Sequence, residues 1–164
     1  MPLPPAAPDA LVLAGAVTPD TAPDDILAHA AQQIARTTQL PNNACVWGIA
    51  LGADDDVLPC REALLACQAA CDALGVRWCG GLMVPNASML PALMRSPRLG
   101  AFRRPLSESI DRLIAALRLG RPIDELDRML DGAETPQRDE GAVAPAGIIE
   151  VPRTLSWKLF ARLH

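Results

Sequence analysis

Three consecutive carboxylates, Asp54, Asp55 and Asp56, form the densest set of groups in this chain able to hold an ion or move a proton. Clustered oxygens suit hard cations such as Mg²⁺ or Ca²⁺. Placed just ahead of a helix, the same residues serve as N-caps and complement the positive end of the helix dipole. Both roles are open at the level of sequence, although Glu62, one turn on, completes no metal motif. Cysteine is the other reactive type. Cys60, Cys67 and Cys71 fall on one helix, and Cys45 and Cys79 inside strands. Cys67 and Cys71 share a face with Leu64 and Leu74, but no Cys-x-x-Cys spacing is present. The thiolates of Cys67 and Cys71 could join a metal site, but the two histidines, His29 and His164, lie in other segments, so no Cys-His or Ser-His-Asp arrangement can be argued. The expectation is five buried thiols acting as small apolar side chains, with no metal. Their odd number also argues against a disulfide framework.

Three further patterns carry possible chemistry. Gly80 and Gly81 are adjacent inside an apolar run, which marks either close backbone approach or a ligand-facing stretch. Arg95, Arg98, Arg103 and Arg104 make a dense basic run, suited to a bidentate phosphate contact or to plain solvated surface. At the C-terminus, Leu155, Leu159 and Leu163 share a helical face beside Trp157 and Phe160, with Arg153, Lys158 and Arg162 as cations. That tail fits contact with an anionic membrane surface or a partner helix, or simple docking on its own domain.

These residues need a scaffold, and the sequence supplies a repeated one. The apolar runs at 9–17, 44–52 and 76–84 alternate with helical patterns. Such alternation indicates a parallel α/β sheet, whose ligands sit at the loops leaving the strands' carboxyl ends. The first helix opens with Pro23, Asp24 and Asp25 and carries Ile26, Leu27, Ala30, Ala31 and Ile34 inward. The second ends at Gly75, the residue expected of a left-handed cap. Residues 85–104 read as irregular, a helix is expected from about Ser107 to Leu119, and a short one over 122–130. Four regions result: a proline-rich lead-in over 1–8, an α/β domain over 9–130, a flexible linker over 131–146, and an apolar, basic tail over 147–164.

Composition narrows the classes. The 164 residues fit one domain, half of them hydrophobic and only 3% aromatic. A net charge of −4 disfavours general nucleic-acid binding. No apolar run approaches the ~20 residues of a membrane span, and the first eight residues have no signal-peptide pattern. The expected setting is cytoplasmic.

The order of segments resembles the central and C-terminal portion of the flavodoxin-like NAD(P)H-dependent flavin oxidoreductases. The stretches that carry the likeness are 11–23, 46–52, 62–71, Trp78-Cys-Gly-Gly-Leu82 and Val151-Pro-Arg-Thr-Leu-Ser-Trp157. The resemblance implies a partial flavodoxin-like three-layer sandwich, with three or more parallel strands and helices on both faces. The strands here would correspond to the third, fourth and fifth of sheet order 2-1-3-4-5. It also implies hydride transfer from NAD(P)H to FMN. Val17, Thr18, Gly52, Ala53, Asp54, Gly80 and Gly81 would then border the cofactor, with the loop after Val84 completing the site. The family's first strand and its phosphate-cradling loop have no counterpart before residue 9, and the aromatic expected near the flavin ring is replaced by Ala16, Val17 and Thr18. The alternatives are a non-catalytic binding or assembly module that has lost flavin, or one subunit of a split protein.

A sheet that starts at such a middle strand exposes an apolar edge bearing Val12, Leu13 and Val17. A second copy of the chain is the expected cover, because homodimers are the commonest closed assembly. A separate partner chain, or the chain's own segment 147–151 folding back, would serve the same purpose.

Overall fold

The computed structural model describes residues 10–37, 44–95, 100–130 and 147–152. Four parallel strands lie in sequence order across one sheet: β1 (Ala10–Val17), β2 (Cys45–Gly52), β3 (Arg77–Val84) and β4 (Ile148–Glu150). Helix α1 (Pro23–Arg36) joins β1 to β2, and α2 (Leu58–Leu74) joins β2 to β3. After β3 come a 3-10 turn (Ala87–Met89), α3 (Leu90–Arg95), α4 (Gly100–Leu119) and α5 (Ile123–Leu130). The chain is a three-layer α/β sandwich.

Local signals explain most of these elements. Pro23 stands in the first turn of α1, where its missing N–H costs nothing, and Asp24 and Asp25 follow it. Helix α2 ends on Gly75 at φ 67°, whose N–H reaches back to the Asp72 carbonyl at 3.2 Å. The β2 strand alternates between two covered faces. Val46 and Ala50 pack under α1 and α2, while Cys45 and Trp47 pack under α4 and α5.

That arrangement has a topological consequence. All three connections move one strand along the sheet in the same direction, yet α1 and α2 cover one face and α4 and α5 the other. The connection from β3 to β4 is therefore of opposite hand to the first two. Parallel crossovers are right-handed in about 98% of cases, so this one is exceptional, and the β3–β4 contact must hold it in place. The contact is built on glycine. Gly80 has φ 116° at a register shift between β2 and β3, and Gly81 donates its N–H to the Gly147 carbonyl at 2.9 Å.

One alternative and one expectation are corrected here. Segment 147–151 does not fold back on the first strand; Ile148–Glu150 pairs with β3 at the opposite edge, because Gly80 and Gly147 leave room for that approach. The helix expected from Ser107 begins at Gly100 and carries Pro105 inside it. Ser107 is thus an exposed mid-helix residue rather than a cap, and the stretch read as irregular after Pro85 already holds a 3-10 turn and α3. The lead-in at 1–8, the linker at 131–146, the tail from 153 onward and Arg98 lie outside the described residues. No described helix is long and apolar enough to cross a membrane.

Candidate functional site

The loops at the carboxyl ends of β1, β2 and β3 meet, as a parallel sheet requires. Val17 and Ala53 are joined directly, the Ala53 N–H donating to the Val17 carbonyl at 3.3 Å, which also brings Thr18 and Gly52 into this corner. The Asp54 carbonyl accepts the Asn86 N–H at 2.7 Å, and the Ser88 hydroxyl donates to the Ala53 carbonyl at 3.1 Å. The carboxylates serve the loop itself. Asp54 Oδ1 accepts the Asp56 N–H at 3.0 Å, Asp56 Oδ1 accepts the Leu58 N–H at 2.9 Å, and Asp55 Oδ1 accepts Asn86 Nδ2 at 3.1 Å. Asp56 therefore caps α2 from one residue ahead of Val57. Among the described residues, no group of three or more His, Cys, Asp or Glu side chains is placed to hold a metal ion.

This corner does not fit a flavin phosphate. A phosphate needs converging backbone N–H groups or cations, and the N–H groups of Ala53, Asp56 and Leu58 already serve the chain's own oxygens. Three carboxylates set a negative field there. Their effect on the Cys60 thiol is direct. Burial raises its pKa to about 11, with Asp54 and Asp56 adding to the rise. A Cβ on Gly52 would stand 2.9 Å from Cys60 Sγ, so that strand end is packed against the thiol rather than open.

Gly80 and Gly81 lie in the middle of β3, both buried, away from that corner. A Cβ on Gly81 would come 2.9 Å from Leu64 Cδ1, and one on Gly80 would meet the Gly147 carbonyl oxygen and Ile123. The structure gives both glycines a packing role on opposite faces of the sheet. All five cysteines are buried, as expected, and none forms a disulfide. Burial lifts the Cys71 and Cys79 pKa values to about 12 and that of Cys67 upward, so these thiols stay protonated near neutrality. Arg104 pairs with Glu108 at 2.7 Å along one exposed face of α4.

Open space lies elsewhere. A groove of about 680 Å³ runs beside β1, lined by residues 11–17 of that strand and roofed by Asp25, Ile26, His29 and Gln33 of α1. Its floor reaches Ala50 of β2 and Ala63, Leu64 and Cys67 of α2. Gly15 adds to this space, since nothing lies within 4 Å of where a side chain there would stand. β1 is the sheet's outer strand, so along its free side it has no strand partner among the described residues. Edge strands are normally guarded by charge, proline, a bulge or shortness; Ala10–Val17 has eight residues and no such device. The three apolar residues expected on the edge divide: Val17 is buried and Leu13 half-buried, while Val12 remains 40% exposed on the face that α4 leaves uncovered. Sequence reasoning found the strand but missed the groove and its polar roof. A signal was available, since Asp25, His29, Gln32, Gln33 and Arg36 recur at helical spacing on one side of α1.

The fold and groove define the class: a parallel α/β sandwich whose first strand is an edge left open and unguarded among the described residues. Beyond that class, the chain matches no family model, no curated protein and no solved structure.

Proposed function

We propose that this protein is a non-catalytic assembly module that works by taking an additional β-strand onto the free edge of β1. The observation that carries the reading is the groove. It follows nearly the whole length of an eight-residue strand that is apolar and, among the described residues, unguarded, and the space above Gly15 is empty. Strand addition draws affinity from main-chain hydrogen bonds and specificity from pockets for alternate side chains, and β1 offers both. Five buried cysteines that form no disulfide fit a reducing compartment, so the proposed setting is the cytoplasm.

The test uses a synthetic peptide copying residues 10–17, flanked by lysines for solubility. Mixed with the full chain, it should slow amide hydrogen exchange along β1 and leave β3 unchanged. Exchange along β1 that ignores the peptide at every concentration would end the strand-addition reading.

A second reading is a divergent NAD(P)H-dependent flavin oxidoreductase. Its support is the succession of three parallel strands in sequence order with helices on both faces, which is the arrangement that resemblance implies. If that reading held, FMN would bring the redox chemistry and the chain would bring position and electrostatics; the acidic corner at Asp54–56 weighs against it. FMN fluorescence should therefore stay unquenched when the protein is added. Saturable quenching would reverse the order of the two readings.

A further inference from the structure

We infer that the strand taken up by β1 is the β1 of a second copy, paired antiparallel about a two-fold axis perpendicular to the sheet. This inference rests on the strand-addition reading and names its partner. Of the sheet's two edges, β4 has three residues and is followed by Pro152, both ordinary guards against pairing. Among the described residues, β1 is the long edge without such a guard.

Self-complementarity supports the second copy on two levels. The axis keeps like faces together, so residues 11, 13, 15 and 17 of one strand stand opposite odd-numbered residues of the other. With the axis at Ala14, Gly15 faces Leu13 of the second copy; with the axis at Leu13, it faces Leu11. Cross-strand neighbours have Cβ atoms about 5 Å apart, so either leucine leans into the space that Gly15 leaves empty. The strand thus carries both a hollow and the side chain that fills it.

The same axis brings α1 alongside α1 of the second copy, running in the opposite direction. Asp25 stands in the first turn of α1 and Arg36 in the last, both exposed and eleven residues apart, which places them on one helical face. Antiparallel apposition sets each Asp25 beside the other copy's Arg36, and opposes the two helix dipoles favourably. His29 and Gln32 lie between these ends on the same face.

Light scattering on the full chain should give twice the 17.4 kDa chain mass. Arg36→Glu sets two carboxylates together at each end of the helix pair and should weaken the dimer about tenfold, two exposed ion pairs being exchanged for two repulsions. Asp25→Lys should act alike, and the double variant Asp25→Lys/Arg36→Glu should recover dimerisation. Gly15→Phe should fill the hollow from within the chain, leaving its circular dichroism intact and weakening the dimer at least tenfold. A particle of single-chain mass up to ~1 mM, or a dimer indifferent both to the charge exchange and to Gly15→Phe, overturns the second-copy assignment. In that event, protection of β1 by the lysine-flanked peptide would show that a different chain supplies the strand. Loss of both results would remove the strand-addition reading as well.

Discussion

Gly80→Ala should lower the folding stability by roughly 3–5 kcal/mol and detach β4 from the sheet. Two costs add. At φ 116° a side chain is strained whatever the space around it, at about 1–3 kcal/mol. The new Cβ would also collide with the Gly147 carbonyl oxygen and stand 2.9 Å from Ile123 Cδ1, an overpacking worth typically 1–3 kcal/mol. The carbonyl is backbone and cannot swing aside as a side-chain end would. Its retreat would break the hydrogen bond from the Gly81 N–H, which anchors the start of β4. Urea unfolding supplies the measurement, with hydrogen exchange at 148–150 reporting the strand itself. Gly75→Ala is the internal control: it too has positive φ, at 67°, but open space around its Cβ, so its cost should be only about 1 kcal/mol. Equal losses for the two variants would mean that the Gly80–Gly147 approach does not hold β4.

The contrast between those glycines shows which parts of the fold were legible. Gly75 follows a helical stripe, and its cap role can be read from its neighbours alone. The three long strands, α1, α2 and α5 were legible for the same reason: continuous apolar runs mark the strands and a 3.6-residue stripe marks the helices, each within a short window. The Gly80–Gly81 pair announced close approach but not of what. Its partner, Gly147, is 67 residues away, and a three-residue strand has too short a pattern to declare its neighbour. The opposite hand of the third connection likewise has no local signature, because it depends on which face α4 and α5 cover. At the strand ends, the aspartates were readable as caps. That their oxygens accept the N–H groups of Asp56 and Leu58, and so take those donors away from any anion, required the folded loop. The groove was the least legible feature. It depends on where α1 lies relative to β1 and on the empty space above Gly15, neither of which is written in the order of residues.

Trp47→Ala and Trp47→Phe should part widely, and the difference tests how the central strand is held. Trp47 is fully buried on β2 and faces the α4–α5 layer with Leu82, Leu113 and Ile123. Removing the indole leaves a large cavity at the middle of the sheet, so the alanine variant should lose roughly 3–5 kcal/mol. Losses of that size shift the unfolding midpoint by about 6–20 °C for a chain of this length. The phenylalanine variant removes less volume and also removes a liability, because the indole N–H is buried with no hydrogen-bond acceptor among the described residues. A buried donor left unpaired costs about 1–3 kcal/mol, which offsets much of the packing that the smaller ring gives up. Trp47→Phe should therefore stay within ~1 kcal/mol of the parent chain. Urea midpoints at unchanged slope would read both numbers. A phenylalanine variant as damaged as the alanine one would show that the indole N–H has an acceptor, and that this residue anchors β2 through a polar contact as well as through its volume.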